Sequence, residues 1–287
     1  MSDKKTCAIT GSNGYVGGCV KNHFVARGWE ILELTRSPKA GSRAVKFQLG
    51  AEISPAAFEN VGALVHCAYD FQPLRWDEIV AVNVEGSRKI LKAARAAKIP
   101  KIIFVSSISA FDGCRSLYGK AKLEIEKIAL ENGALAIRPG LVYGNASGGM
   151  FGKLTAQVGK SSAIPLIGDG SQIQFLVHHE DLCAFIENYA AGKIETAPQI
   201  LTAANEQPWA FKKLLLEIAR TLNKKPKFIP LPWRLVWLGL KSAEVCGLKL
   251  NFRSDSLVSL MNQNASPDFS ANSQIGLVCR PFQIGKL

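Results

Sequence analysis

Over the first two-thirds of the chain, short β-branched apolar runs alternate with longer stretches in which apolar positions recur at helical spacing. That rhythm predicts a parallel sheet covered by helices. The expected strands are Thr6–Thr10, Glu30–Thr35, Ala44–Phe47, Ala63–Cys67, Lys101–Ser106 and Ala134–Arg138. The clearest helical patterns between them are Ile79–Ala97 and Leu117–Glu131, and Gly133 and Pro139-Gly140 mark loops around the last strand. After about residue 144 the pattern changes. Gly/Ser-rich Gly144–Gly149 leads into a helix, followed by a loop with Gly168-Asp-Gly170 and an isolated strand near Gln199–Ala203. Helices are expected over Pro208–Leu222, Trp233–Cys246 and Ser254–Met261. The pattern predicts an α/β fold, a doubly wound parallel sheet over residues 1–145 with returning segments around 170–205. A smaller mixed C-terminal lobe takes most of 146–287.

Length and composition fit that reading. A chain of 287 residues, 47% of them hydrophobic, buries a large core without disulfides or metal staples. Disordered and collagen-like classes are excluded. The apolar stretch Phe228 to Leu248 is broken by Pro230, Pro232, Arg234, Lys241 and Glu244, so no membrane span is expected. The seven cysteines are scattered, odd in number and lack a C-x-x-C pair, which points to reduced thiols and no zinc site. The N-terminal residues carry no signal-peptide pattern, and the expected location is cytoplasmic. A net charge of +12 favours polyanionic partners, yet the basic residues are dispersed apart from Lys212-Lys213 and Lys224-Lys225-x-Lys227. Those clusters read first as solvated faces and next as contacts for a phosphate-bearing small molecule; nucleic acid is not an expected partner.

The segment Thr10-Gly11-Ser12-Asn13-Gly14-Tyr15-Val16-Gly17 lies between the first strand and the first helix. Glycines there allow a tight turn and close backbone approach to a pyrophosphate, which then faces the free N–H groups and positive dipole end of the helix. This predicts dinucleotide binding. A carboxylate ending the second strand would hold ribose hydroxyls and repel a 2′-phosphate. Here Thr35 takes that place and Arg36 follows, so the cofactor is NAD(P) with a lean to NADP(H). Glu33 keeps NAD open, because a register shift would bring its carboxylate closer. Tyr118 and Lys122, one turn apart, project from one helix face after the Ser106-Ser107 strand end. A nearby ammonium is expected to lower the phenol's pKa and make it usable as acid or base.

Together these residues resemble the extended branch of the short-chain dehydrogenase/reductase superfamily, the NAD(P)-dependent epimerase/dehydratase-like proteins. The resemblance covers roughly residues 5–185. It rests on Thr10–Gly17, Val65-His66-Cys67-Ala68, Asn83-Val-Glu-Gly86, Val105-Ser106-Ser107, Tyr118-x-x-x-Lys122, Arg138-Pro-Gly-Leu-Val-Tyr-Gly144 and His178-His-Glu-Asp-Leu182. It implies a Rossmann domain over 1–145 and a substrate-binding lobe beyond it. It also implies that Tyr118 is the catalytic acid/base, that Lys122 binds the nicotinamide ribose, and that Ser107 bonds the substrate oxygen, with Ser106 and Ser109 as fallbacks. Gly11, Asn13, Gly14, Tyr15, Val16 and Gly17 would line the pyrophosphate site, with Arg36 beside the adenosine ribose. Gln48 and Leu49 match the adenine-contacting pair, Ala68 the loop beside the nicotinamide, and Pro139 and Val142 the segment after the sixth strand.

Other candidates read as structure. His66 at a strand end is expected to be packed and hydrogen-bonded, and His178 and His179 form a loop with no metal. Trp233 and Trp237 pack between the lobes, or else line substrate or touch a membrane surface. Two features depart from the family. Gln174 stands where many nucleotide-sugar enzymes carry a diphosphate-gripping arginine, and glutamine offers no charge-assisted fork. The residues that flank the serine in dehydratases are not identifiable. The expected activity is hydride transfer at a sugar or other secondary-alcohol or ketone carbon, by a nucleotide-sugar epimerase or 4-keto-sugar reductase. Alternatives are an NADPH-dependent reductase of a small non-sugar carbonyl, and a non-catalytic dinucleotide-binding sensor or assembly protein. Ile79–Ala97 and Leu117–Glu131 offer a two-helix face of the kind homodimers use, although the same stripes serve equally as core.

Overall fold

A computed structural model describes residues 5–38, 41–144, 148–194, 197–248, 250 and 252–284. The chain runs β1 (Thr6–Thr10), α1 (Tyr15–Ala26), β2 (Glu30–Thr35), β3 (Ala44–Lys46), β4 (Ala63–His66), α2 (Trp76–Ile79), α3 (Glu85–Ala96), β5 (Lys101–Val105), α4 (Leu117–Glu131) and β6 (Leu135–Pro139). There follow β7 (Leu141–Tyr143), α5 (Gly149–Lys160), β8 (Ala163–Ile167), β9 (Ile173–Gln174), β10 (Leu176–His178), α6 (His179–Ala190) and β11 (Ile200–Ala203). The last third holds β12 (Trp209–Ala210), α7 (Phe211–Thr221), β13 (Lys227–Leu231), α8 (Trp233–Val245), α9 (Ser254–Met261) and α10 (Ser270–Gln274).

The main sheet has seven strands in the order β11-β6-β5-β4-β1-β2-β3, all parallel. Strand order reverses between β1 and β4, and in a sheet wound this way ligands bind in the crevice at that reversal. The central strands are buried on both faces; β1 and β4 are buried at every position. One core packs α1 and α6 on the β1, β4 and β5 face, joined late in the chain by Leu277 and Cys279. A second packs α3 and α4 on the opposite face, so the apolar stripes of both helices are spent inside this chain.

The strand near 199–203 is the outer strand β11, in parallel register with β6. Helix α6 starts at His179, where the sequence pattern predicts a loop, and α10 has no predicted counterpart; the helix expected from Ile79 begins at Trp76 and carries a π-helical turn over Val80–Val84. Three short strand pairs outside the main sheet have no alternating pattern to announce them. In the longest, β8 and β13 pair in parallel with Pro165 opposite Ile229 and Pro230 opposite Leu166. Proline is tolerated in such two-stranded edges. A third core, from Tyr143, Phe151, Ile164, Leu214, Ile218 and Phe282 among others, packs β7, β8 and β10 with α5 and α7. Of the Gly144–Gly149 run, residues 145–147 lie outside the described residues, as does the expected domain boundary at 145.

Candidate active site

The β1–α1 turn sits at the strand-order reversal. Gly11 has φ +70°, and a Cβ there would press into the backbone of Cys67 and Ala68 at the end of β4. A Cβ on Gly17 would run into the Gly11 carbonyl oxygen. Gly14 is the N-cap of α1 and carries no side-chain acceptor, so the positive end of the helix dipole faces the turn without a side-chain cap. This is a cradle that only glycine permits, set at the positive end of a helix. It fits the pyrophosphate of a dinucleotide. The Tyr15 ring packs against Gly148 and Gly149 at the start of α5, tying the turn to that helix.

Around the rim, Asn13 donates from Nδ2 to Thr35 Oγ1 (2.9 Å) at the end of β2, and Arg36 is exposed immediately beyond. Glu33 lies two residues earlier and accepts from Ser12 Oγ (2.6 Å) and Lys21 Nζ (3.3 Å), which holds its carboxylate beside α1. Gln48 is exposed in the turn after β3, and Leu49 packs over Gly86 of α3. Ala68 lies against Gly11. Pro139 is buried at the end of β6, where its carbonyl accepts from Ile108 N (3.0 Å). Val142 is 8% exposed within the first core, so its side chain packs there.

Beneath this rim the polar groups are buried and paired. Thr10 Oγ1 accepts from the N–H groups of Cys67 and Ala68 (3.1 Å each), so its own proton goes to His66 Nδ1 (2.7 Å). That leaves His66 Nε2 as the ring's N–H, donating to Ser87 Oγ (2.9 Å). Burial, with Lys122 nearby, pushes the His66 pKa down to about 3, so the ring is a neutral strut. Asn83, in the π-helical turn, clasps Asp70 through the Asp70 N–H (2.7 Å) and carbonyl (2.9 Å) and fixes the loop after β4.

Helix α4 carries Tyr118 and Lys122. Arg138 on β6 grips Glu126 of α4 through Nε and Nη2 (2.8 and 2.6 Å), and Ser106 Oγ donates to the same carboxylate (2.5 Å). Ser106 is thereby turned onto α4. Ser107 is the serine that reaches Tyr118: its hydrogen bond pulls the phenol's pKa down. Lys122 is 3% exposed, donates to the Val105 carbonyl (2.9 Å) and lies 5.8 Å from the Tyr118 ring centroid. Burial lowers its pKa to about 8, against the opposing pull of Cys67 and Glu126.

The expected lowering of the Tyr118 pKa does not occur in the free chain. It is pushed up to about 12, because burial outweighs the bond from Ser107. Phe71 stacks on the Tyr118 ring (5.6 Å between centroids, 26°) and Tyr69 meets it edge-on (5.0 Å). Sequence reasoning missed these two rings, which lie in an irregular loop without periodicity. It also missed the residues that reach in from the far end of the chain. Asp255 of α9 accepts from the N–H groups of Leu117 (2.7 Å) and Tyr118 (3.0 Å), acting as an imported cap for α4. Arg253 donates to the Phe71 carbonyl and to that of Pro73 (3.0 Å). Ser259 donates to Ser109 (3.1 Å). Gln174 is 7% exposed and accepts from Gln263 Nε2 (3.3 Å). His178 caps α6 and stacks on His179, while Asp181 is taken by Arg280.

Comparison with known proteins agrees with the fold. Residues 7–196 match the NAD dependent epimerase/dehydratase family. A ceramide reductase of Caulobacter vibrioides is 26% identical over 239 residues, 78% of this chain and 73% of that protein. An N-acetyl-alpha-D-glucosaminyl-diphospho-ditrans,octacis-undecaprenol 4-epimerase of Escherichia coli O157:H7 is 23% identical over 178 residues, 55% of this chain and about half (53%) of the relative. Among solved structures, MoeE5 in complex with UDP-glucose and NAD superposes with a TM-score of 0.74 at 16% identity, covering 96% of this chain and 94% of that one. The chain belongs to the NAD-dependent epimerase/dehydratase family, and is an NAD(P)-dependent oxidoreductase-type enzyme of the short-chain dehydrogenase/reductase kind.

Proposed function

We propose that this enzyme is a net reductase that converts a ketone to a secondary alcohol, with Tyr118 as the proton donor. One observation carries the reading: Tyr118 lies under Phe71 and Tyr69 with its pKa raised to about 12. A phenol so placed keeps its proton at neutral pH and offers it to a developing alkoxide. Ser107 holds the substrate oxygen beside that phenol, and Lys122 supplies positive charge from below. A bound nicotinamide cofactor supplies the hydride. The residues to hold it are the Gly11–Gly17 turn, with Asn13, the Tyr15 and Val16 amides, Ala68, Lys122, Pro139 and Val142 along its length and Gln48 and Leu49 at its far end.

Arg36, next to Thr35 rather than an acidic strand end, supports NADP(H), and Glu33 is already engaged by Ser12 and Lys21. Gln174, neutral and bonded to Gln263, lends a diphosphate no charge-assisted fork. The ceramide reductase relative supports reduction. The undecaprenol-linked 4-epimerase and the UDP-glucose complex support a second reading, a nucleotide-sugar epimerase that recycles its cofactor.

One measurement separates the two. The protein is purified without added cofactor and denatured, and any released nucleotide is identified by mass. An empty protein that then takes up NADPH in preference to NADH fits the reductase, and Arg36→Glu reverses that preference. Stoichiometric tightly held NAD⁺ overturns it in favour of the epimerase. A protein that binds neither cofactor removes the reading of the glycine turn itself.

A further inference from the structure

Six of the twelve exposed large apolar side chains among the described residues fall between 229 and 250: Ile229, Leu235, Leu238, Val245, Leu248 and Leu250. On α8 they are not scattered. At about 100° per residue, Leu235, Leu238 and Val245 share one face with Ser242, and the opposite face carries Trp233, Trp237, Leu240 and Glu244 inward. Arg234 and Lys241 fall together along one edge of the apolar stripe, on the same angular reckoning. Glu244 is buried and accepts from Ser254 N (2.8 Å) and Oγ (2.7 Å), so its charge is spent toward α9, with Lys241 at 3.8 Å.

Charge concentrates on the same segment. Residues 224–250 contain six basic residues (Lys224, Lys225, Lys227, Arg234, Lys241, Lys249) and one acid (Glu244), so 6 − 1 gives +5 of the chain's +12. A lone apolar stripe would leave its occupant open; a basic apolar stripe does not. A second copy meeting this face about a two-fold axis would set these cations against their own kind. An anionic bilayer satisfies both features, taking the leucines among its acyl chains and the cations at its headgroups.

We propose that α8 lies flat on an anionic phospholipid membrane, with Leu235, Leu238 and Val245 in the headgroup–acyl boundary and Arg234 and Lys241 at the phosphates. This is attachment to one leaflet: no helix among the described residues is long and apolar enough to cross a membrane. The face is one helix from the site. Glu244 of α8 holds the start of α9, whose Asp255 caps the helix of Tyr118 and whose neighbour Arg253 ties down the loop that carries Phe71. The proposal stands on α8 alone and does not depend on which substrate Tyr118 serves.

The test is co-sedimentation of the full chain with vesicles of phosphatidylcholine alone and of phosphatidylcholine mixed with phosphatidylglycerol. The expected result is binding to the mixed vesicles, weakened by salt and near background on phosphatidylcholine. Leu235→Glu with Leu238→Glu is expected to cut binding about 100-fold or more, since each exposed leucine transfers apolar surface and each glutamate adds a charge the headgroups repel. Arg234→Gln with Lys241→Gln is expected to cost about fivefold per side chain. These side chains are exposed or at the surface edge, so cofactor binding by every variant is the control for folding. No binding to mixed vesicles, or binding untouched by the two leucine changes, overturns the proposal. So does a dimer in solution that the same changes dissociate.

Discussion

The α4 region and α8 invert the ordinary distribution of side chains in opposite senses. Under α4, polar and charged groups are inside: His66, Lys122, Glu126 and Ser106 are all at most 3% exposed. On α8, Leu235 and Leu238 are outside. Each reversal costs free energy, and each is more informative than any correctly placed residue. The difference lies in where the compensation is found. Every buried group named has its partner within the chain, whether Thr10 and Ser87 for His66, the Val105 carbonyl for Lys122, or Arg138 for Glu126. Leu235 and Leu238 have no such partner among the described residues. A buried polar network is thus an internal solution that holds a reacting group in place, and an exposed apolar stripe refers to something outside.

The largest expected effect falls on the first region. Tyr118→Phe keeps the ring stack with Phe71 but removes the proton, so turnover is expected to fall about 10³-fold with cofactor binding retained. Steady-state kinetics beside a cofactor titration would check it, and undiminished kcat would sink the role. Next is the pair that fixes α4. Glu126→Leu leaves Arg138 uncompensated and is expected to cost about 3 kcal/mol by urea unfolding, while adding Arg138→Met recovers most of that. No recovery would mean that the pair acts through something other than mutual neutralisation.

A pH profile sharpens the same region. Because burial lowers the Lys122 pKa, its charge is present below about 8 and is lost as pH rises through that value. Ketone reduction is expected to decline along an alkaline limb near 8, and a profile flat through that range would detach Lys122 from the chemistry. The smallest effect belongs to α8. Leu235→Glu is expected to change stability by no more than about 0.5 kcal/mol, since the side chain is 65% exposed. A large loss by urea unfolding would show the stripe to be part of the fold and erase the contrast.

Much of this was readable in one dimension. The helix over Leu117–Glu131 and the strands Thr6–Thr10 and Glu30–Thr35 end in the structure where their patterns end in the sequence. Strands buried on both faces are continuous apolar runs, and the helices on them keep a helical period. The glycine turn was readable because its close approaches exclude every other residue. Boundaries blurred where geometry is not periodic, as at the π-helical turn carrying Asn83. The rings of Tyr69 and Phe71, the caps from Asp255 and the straps from Arg253 were invisible. The caps and straps act across 137 to 182 residues of chain, and the rings meet Tyr118 from a loop about 50 residues away, through single contacts that leave no repeat.

The sequence by itself therefore determined the order of the main elements through β6, the parallel winding of the sheet, the glycine turn between β1 and α1, and the placing of Tyr118 with Lys122 on one helix face. Each depends on neighbours within a few residues, where spacing and residue type leave little choice. Tertiary structure alone decided which serine meets Tyr118, that its phenol is pushed up rather than down, and which face of α8 is left outside. Those outcomes depend on what lies on top of a residue. Burial and its electrostatic cost are properties of the assembled molecule, and no local pattern encodes them.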